Sequence, residues 1–283
     1  MKEIVLVDFS WLYNKYYYVA TTQVSKENVS NHLLKMLMQF LHRVDVNYSE
    51  VFLVLDPPLK NTINFSLNKD YKQQRDKEAK KEVYESIQKI VKDLNNTLSK
   101  HVHVAKSNTY EADQVIAYLA EKYMSNNKVI IFSGDKDLLQ MTQYPNVRIS
   151  DKFKDGRFML LTDTEIFSKF KNSKKEDFTR VSTNKADIVK YRSLKGDKSD
   201  NLKPVFPKIR DKEIINIVRE AWTCEYFDID TIINNVTSQP LKDKLEQNRE
   251  TWITNYRMMN LINLQIPDIK ILKKLDKYNN IVT

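Results

Sequence analysis

Cysteine, glycine and histidine are scarce in this sequence, and each scarcity excludes a class of function. The 283 residues contain one cysteine, Cys224, and four histidines. An internal disulfide framework and a zinc site with several thiolates are therefore excluded, and a reducing compartment is expected. The three glycines, Gly134, Gly156 and Gly196, are too few for a Walker loop or a dinucleotide-binding fingerprint. We therefore expect neither P-loop nucleotide hydrolysis nor dinucleotide redox chemistry.

Long hydrophobic runs are also missing, although 41% hydrophobic residues are enough for a sizeable core. No run approaches the ~18 apolar residues of a transmembrane helix. The start of the chain, Met1-Lys-Glu-Ile-Val, is typical of a strand and lacks the layout of a signal peptide. The lysine, asparagine and isoleucine content is compatible with an AT-rich phage or bacterial genome. We expect a cytoplasmic monomer of a bacterial or phage-infected cell, without a membrane partner.

Positive charge predominates in the composition. There are 46 lysines and arginines against 37 acidic residues, which gives a formal net charge of +9. This balance favours a polyanionic partner such as nucleic acid. Lysine enrichment that only aids solubility would give the same total, so the arrangement of the charges has to decide between the two.

Strand and helix patterns alternate through the first part of the chain. Apolar strand patterns at 3–7, 51–55, 101–105 and 128–132 alternate with helical patterns at 11–18, 31–47 and 110–120. Such alternation predicts an α/β fold with a mostly parallel sheet flanked by helices. A hairpin pattern follows at 147–161, and the chain is mostly helical from residue 166 onward. We predict an α/β domain over 1–165 and a helical subdomain with a C-terminal tail over 166–283.

Carboxylates follow three of the predicted strands. The run 128–132 ends at Ser133-Gly134 and is followed by Asp135 and Asp137, while Asp8 and Asp56 follow two earlier strands. Because the carboxyl ends of parallel strands meet at one edge of a sheet, we expect these acids to converge. Taken alone, Asp8 is equally well explained as a helix cap.

Two more acids open the helical pattern after the third strand. Glu111 and Asp113 fall in its first turn, where the helix dipole alone would favour them. A further pair, Asp197 and Asp200, lies in the polar segment 191–202. So many carboxylates in one cleft could not all stay ionised without cations, because like charges raise one another's pKa. Oxygen ligands without histidine or cysteine indicate Mg²⁺ or Mn²⁺, and two such ions form a phosphodiester-cleaving site.

Basic and aromatic residues are grouped in two places. Tyr71, Lys72 and Arg75 lie within about one helical turn, a combination suited to a nucleic-acid strand. The region 191–222 carries lysines on a predicted helix, short turn and helix that suit docking on duplex phosphates. The alternatives are a solvated face for the first group and an ordinary helical hairpin for the second.

At these residues the chain resembles the flap endonuclease / 5′–3′ exonuclease family, which includes bacteriophage RNase H and 5′-exonuclease proteins and the N-terminal nuclease domain of bacterial DNA polymerase I. The matches cover about residues 3–210 in the family order. They are Asp8, Leu55-Asp56, Tyr-Lys-x-x-Arg at 71–75, Glu-Ala-Asp at 111–113, Ser-Gly-Asp-Lys-Asp-Leu-Leu-Gln at 133–140 and Gly-Asp-Lys-Ser-Asp-Asn at 196–201.

The resemblance implies a PIN-like nuclease domain with a helical arch at about 60–100 and a C-terminal subdomain with a helix-turn-helix type duplex-binding element. By resemblance, the first metal site would use Asp8, Asp56, Glu111, Asp113 and Asp135. The second would use Asp137, Asp197 and Asp200, with Asp135 near both.

The resemblance also assigns substrate contacts. Tyr71, Lys72 and Arg75 would lie at the base of the arch, and Lys72 and Arg75 would contact the scissile phosphate. With Asp135, these two basic residues are the predicted catalytic residues.

The chain departs from the family pattern in three places. Gln114 stands where bacterial members often have a second aspartate, and Ser66 follows Phe65 where an arginine is frequent. The glycine-rich turn of the family is replaced by residues 204–209, whose two prolines remove backbone donors. We therefore do not expect the family's potassium site, and we expect duplex binding to depend on Lys203, Lys208 and Arg210.

The leading hypothesis is a metal-dependent 5′-nuclease that removes flaps or RNA primers during DNA replication or repair. Its partners would be DNA with a 5′ single-stranded flap, an RNA–DNA primer duplex, and replication proteins. The first alternative is a catalytically weak protein of the same fold that binds branched DNA, which Gln114 and the altered turn motivate. The second is a ribonuclease of the PIN-like group, although short PIN domains lack the Gly-Asp-Lys-Ser-Asp-Asn segment.

Overall fold

A computed structural model describes residues 1–73, 101–170 and 181–272. Seven strands in these ranges form one sheet. They are β1 (Lys2–Asp8), β2 (Glu50–Leu55), β3 (Val102–Lys106), β4 (Asn127–Phe132), β5 (Val147–Lys154), β6 (Arg157–Leu160) and β7 (Lys270–Leu272).

The strand order across the sheet is β6-β5-β4-β1-β2-β3-β7. The five central strands, from β5 to β3, are parallel, and the two edge strands are antiparallel to their neighbours. Val5 of β1 lies opposite Val51 on one side and Ile130 on the other. All five residues from Ile4 to Asp8 are buried. A parallel sheet needs both faces covered, which explains why these strands are continuous apolar runs.

Helices connect the strands and form the C-terminal part. The α-helices are α1 (Phe9–Gln23), α2 (Val29–Asn47), α3 (Ile63–Leu67), α4 (Ala112–Tyr123), α5 (Asp163–Ser168), α6 (Asp187–Lys195), α7 (Asp211–Ile215), α8 (Ile229–Asn235), α9 (Gln239–Gln247) and α10 (Arg249–Met259). Short 3₁₀ turns lie at Lys26–Asn28, Leu59–Asn61, Asp137–Gln143 and Lys198–Asp200, and a π-helical turn at Asn216–Ala221 continues α7. None of the helices in the described ranges has both the length and the apolar character of a membrane span.

Alternate residues of β1 serve two different cores. Val5 and Val7 pack with α1 and α2, whereas Ile4 and Leu6 pack with α4 and the C-terminal helices. This follows from the strand period of two residues. The second core extends to Trp252 of α10, which is fully buried. The helices after residue 166 therefore pack on the same sheet that carries the strand-end acids.

The predicted α/β architecture is confirmed, and two local differences remain. Asp135 precedes a 3₁₀ turn at Asp137–Gln143 and Asp137 begins it, in place of the helix that the strand-then-helix alternation predicts after β4. The tail contributes β7, an edge strand that sequence analysis did not predict. The division at residue 165 stays a prediction, and most of the predicted arch, residues 74–100, lies outside the described ranges.

Candidate active site

The carboxyl ends of β1, β2 and β4 bring acids from distant parts of the chain to one edge of the sheet. Asp8 ends β1, Asp56 follows β2 and Asp135 follows β4. Glu111 and Asp113 enter from the start of α4, which follows β3. We call these five residues the first acid cluster. Because the strands are parallel and in neighbouring positions, the fold itself forces this convergence.

Asp8 is held in the first acid cluster by two hydrogen bonds. Its Oδ1 accepts a hydrogen bond from the Trp11 backbone N–H at 3.0 Å, so Asp8 also caps α1. Its Oδ2 accepts from the Ser133 hydroxyl at 2.8 Å. Burial, with a smaller contribution from the negative charge of Asp56, raises the pKa of Asp8 to about 7. The helix-cap and active-site interpretations are therefore both compatible with its position.

Asp56 and Asp113 share the same electrostatic environment. The Ala112 backbone N–H donates to Asp56 Oδ1 at 2.8 Å, which joins the end of β2 to the start of α4. Burial is the main reason that the pKa of each carboxyl is raised, and the charge of Glu111 adds to it in both. Asp135 also contributes to the raised pKa of Asp113. Because these carboxylates raise one another's pKa, they lie close enough to repel one another.

Glu111 accepts hydrogen bonds from three side chains, one of which is a lysine. It accepts from Asn64 Nδ2 at 2.7 Å, from the Tyr71 hydroxyl at 2.8 Å and from Lys72 Nζ at 2.7 Å. Burial would raise the pKa of Glu111, but the Lys72 charge and these hydrogen bonds together lower it. Gln114, the predicted departure from the family pattern, is buried and accepts from the Glu111 backbone N–H at 3.0 Å. It therefore fixes the start of α4.

Tyr71 does not have the exposed position that a base-stacking role requires. Its ring is only 3% exposed and packs with apolar side chains that include Leu202 and Met258. The predicted stacking contact with a nucleic-acid strand is therefore corrected: the hydroxyl faces the acids, and the ring belongs to the core. Lys72 lies beside it with Nζ 4.0 Å from Asp200 Oδ2. Arg75 lies outside the described residues.

The second acid cluster consists of Asp137, Asp197 and Asp200, and an arginine not selected from the sequence contacts the first two. Arg192 on α6 donates from Nε to Asp137 Oδ1 at 2.8 Å and from Nη2 to Asp197 Oδ2 at 2.7 Å, and Nη2 also lies 2.8 Å from Asp137 Oδ1. Burial lowers the pKa of Arg192, but the charges of the two aspartates outweigh it and raise that pKa above its ordinary value. The sequence carried no specific signal for Arg192, because only the fold places it opposite Asp137 and Asp197.

The turn that carries Asp197 and Asp200 contacts the Tyr71–Lys72 segment. Lys72 N donates to Asp200 O at 3.1 Å, and the Tyr71 hydroxyl lies 3.4 Å from Asp200 Oδ2. Asn201, in a left-handed conformation, donates to Asp70 O at 2.9 Å. The Tyr71–Lys72 segment therefore borders both acid clusters. Asp137 connects the two clusters by donating its backbone N–H to Asp135 Oδ1 at 2.8 Å.

Comparisons with known proteins agree with this geometry. The family model described as the 5'-3' exonuclease N-terminal resolvase-like domain matches residues 3–171. This chain belongs to the 5'-3' exonuclease family. It is 26% identical to a 5'-3' exonuclease of Mycoplasmopsis pulmonis, covering 99% of this chain and 91% of that protein. It is 30% identical to a 5'-3' exonuclease of Aquifex aeolicus, covering 83% of this chain and 73% of that protein.

Flap endonucleases also match this member of the 5'-3' exonuclease family. The flap endonuclease Xni of Shewanella halifaxensis is 28% identical, covering 65% of this chain and 66% of that protein. Among solved structures, a bacteriophage T5 flap endonuclease in a complex with DNA and metal ions superposes with a TM-score of 0.62 at 16% identity. The match covers 92% of this chain and 89% of that one. The fold is therefore that of the T5 enzyme.

A cleft of about 780 Å³ opens beside the second acid cluster in this family member. Its lining combines acids with basic side chains, among them Lys136, Lys195, Lys198 and Lys208. Of the residues predicted to bind duplex, Lys203, Lys208 and Arg210 are all exposed. Arg210 forms an ion pair with Glu213 at 3.2 Å. Acids that could bind cations and lysines that could bind phosphates therefore share one opening.

The two clusters differ in how well they suit a metal ion. Within the described ranges, no three Asp, Glu, His or Cys side chains lie close enough together to ligate one ion as they stand. The first acid cluster nevertheless has suitable chemistry, because it offers buried carboxylate oxygens whose mutual repulsion a divalent ion would relieve. In the second, Arg192 already contacts Asp137 and Asp197, so those oxygens fit an ion poorly.

Proposed function

We propose that this member of the 5'-3' exonuclease family is a metal-dependent nuclease that cuts DNA carrying a 5′ single-stranded flap, or an RNA–DNA primer duplex, in replication or repair. The observation that carries the proposal is the convergence of the first acid cluster from three strand ends and one helix start. With such a substrate, the protein would act in the cytoplasm of a bacterial or phage-infected cell.

Mg²⁺ or Mn²⁺ would be held by the first acid cluster, through oxygens of Asp8, Asp56, Asp113 and Asp135, with Glu111 at its border. Such an ion supplies an activated water and neutralises charge on the phosphate. Neighbouring groups of the chain orient these carboxylates by hydrogen bonds. Ser133 and the Trp11 N–H orient Asp8, and the Ala112 N–H orients Asp56. The resemblance implies a second ion at Asp137, Asp197 and Asp200, where Arg192 already contacts two of the three carboxylates.

Lys72 would bring positive charge to the scissile phosphate. Its ammonium group lies 2.7 Å from Glu111 of the first acid cluster and 4.0 Å from Asp200 of the second, so it borders both clusters. A substrate phosphate bound where the two clusters adjoin would contact that ammonium group, as the resemblance predicts for Lys72 and Arg75. Lys203, Lys208 and Arg210 would bind the duplex part of the substrate from the exposed side of the cleft. The T5 complex with DNA and metal ions supports this type of substrate.

The test is cleavage of a labelled 5′-flap DNA with Mg²⁺ or Mn²⁺ by the wild type and by Asp135→Ala. We expect cleavage by the wild type and a loss of roughly a hundredfold or more in the variant. The matched control is Asp243→Ala, which removes an exposed carboxylate on α9 and should leave cleavage unchanged. Flap binding without cleavage by the wild type would instead support the branched-DNA-binding alternative.

A further inference from the structure

Arg192 is a buried cation that the proposed chemistry does not use. It lies on α6, is 9% exposed and places its guanidinium between Asp137 and Asp197. Burying a charge is costly unless its partners are close and well oriented. Here three contacts of 2.7–2.8 Å meet that condition. The arginine and the two aspartates therefore form one ion-paired group inside the proposed active site, in which the arginine offsets part of the negative charge.

The position of Arg192 is set by the packing of α6. Trp252 Nε1 donates to the hydroxyl of Ser193, the next residue on the helix, at 3.2 Å. Asn255 Nδ2 donates to Ser193 O at 3.0 Å and to Lys203 O at 2.8 Å. The Gly196 N–H donates to Arg192 O at 2.9 Å and ends the helix. These hydrogen bonds hold α6 and the turn that follows it. They therefore fix the position of the Arg192 guanidinium beside Asp137 and Asp197.

The hydrogen bonds of the second acid cluster leave little room for a divalent ion. Asp197 Oδ2 accepts from Arg192, and its Oδ1 accepts from the Ser199 N–H and hydroxyl, each at 2.7 Å. Asp137 Oδ1 accepts from Arg192 Nε at 2.8 Å, and Arg192 Nη2 lies 2.8 Å from the same oxygen. An ion bound to these oxygens would have to displace the arginine, whose charge would also repel it.

We propose that Arg192 takes the place of a metal ion in the second acid cluster, so that this chain holds one divalent ion tightly, at the first acid cluster, where related sites hold two. The proposal rests on the proposed metal-dependent function and specifies its metal content. Arg192 is then a positioning residue that orients Asp137 and Asp197 toward the cleft.

The experiment counts bound Mn²⁺ by electron paramagnetic resonance of the free ion, without substrate. The wild type should bind one Mn²⁺ per chain tightly. Arg192→Gln should bind a second ion roughly tenfold or more tightly than the wild type does, because the competing charge is gone. Arg249→Gln is the matched control, since Arg249 also contacts two carboxylates, Asp230 and Glu246. If Arg192→Gln fails to fold, Arg192→Leu replaces it.

Two tight ions in the wild type would overturn the proposal while leaving the nuclease function intact. An unchanged count in a folded Arg192 variant would also overturn it, because Arg192 would then have only a structural role. No Mn²⁺ binding by the wild type would overturn both this proposal and the proposed function. The flap-cleavage assay separates the two failures, because it tests the function without counting ions.

Discussion

At the scale of single residues, Asp8 links stability to pH. Burial raises its pKa from 3.8 to about 7 in the folded chain. The folded protein therefore keeps a proton that the unfolded chain releases between these values. Without metal, the contribution of Asp8 to the free energy of unfolding should fall as pH rises from about 4 to about 7, by at most about 4 kcal/mol.

This prediction is checked by urea unfolding in EDTA at pH 5 and pH 8. Asp8→Asn has no titrating group and should lose less stability than the wild type over that range. Asp243→Asn, at an exposed position, serves as the control and should follow the wild type. Equal pH dependence of Asp8→Asn and the wild type would contradict the raised pKa.

Tyr71 is expected to act through its hydroxyl. Tyr71→Phe keeps the buried ring but removes the donor to Glu111 at 2.8 Å. We expect a loss of roughly tenfold in flap cleavage, because groups that orient ligand carboxylates have effects of that size, and a loss of about 1 kcal/mol in stability. Tyr144→Phe is the control, since its hydroxyl donates to Glu121, also at 2.8 Å, outside both acid clusters. Equal cleavage by the two variants would contradict this role.

Individual site residues were predictable to different degrees. Asp8, Asp56 and Asp135 follow apolar strand patterns, so their convergence could be predicted from the sequence. Arg192 and Asn64 could not be selected, because their importance depends on which side chains the folded chain places opposite them. The burial of Tyr71 was missed for the same reason, since its apolar neighbours come from the C-terminal helices.

At the scale of secondary-structure elements, the turn after α6 depends on Gly196. Its φ of 70° and ψ of −176° belong to a region essentially restricted to glycine. A Cβ here would lie 2.5 Å from the Leu202 carbonyl oxygen. Gly196→Ala should therefore destabilise the protein by roughly 1–3 kcal/mol or more and should also reduce flap cleavage, because Asp197 and Asp200 lie on this turn.

Gly156→Ala provides the matched control for this element. Gly156 has a φ of 79° in the turn between β5 and β6, so alanine is strained there too. Its Cβ would meet Asn47, away from the acids. We expect lost stability by urea unfolding with normal cleavage per folded molecule. Reduced cleavage in both variants to the same extent would mean that the Gly196 turn has no special role.

Elements with strong local patterns were predicted well, and those that depend on partners were not. The parallel strands are continuous apolar runs, and the capping box of Thr162 with Glu165 at the start of α5 has a local sequence signature. The edge strand β7 has only three residues, and its pairing with β3 decides that it is a strand. A pattern that short is equally compatible with a loop.

At the scale of the whole molecule, the net charge of +9 predicts salt-sensitive binding of DNA. Each lysine that contacts a phosphate should contribute about one unit to the slope of log affinity against log salt. Lys208 lines the cleft and Lys203 is exposed near it. We therefore expect Lys203→Gln and Lys208→Gln to reduce that slope by about one each, measured by fluorescence anisotropy of a labelled flap DNA in EDTA.

The control variant Lys26→Gln distinguishes local phosphate contacts of a lysine from the general effect of positive charge. Lys26 is exposed and follows the C-terminal end of α1, whereas Asp8 of the site lies at the N-terminal end of that helix. About 20 Å of helix therefore separates Lys26 from the site. Lys26→Gln removes the same charge as Lys208→Gln but should leave the slope unchanged. If all three variants lowered affinity equally and without a change of slope, the positive charge would act on DNA only as a diffuse field. A slope change confined to Lys203 and Lys208 would place the duplex against these two lysines at the cleft.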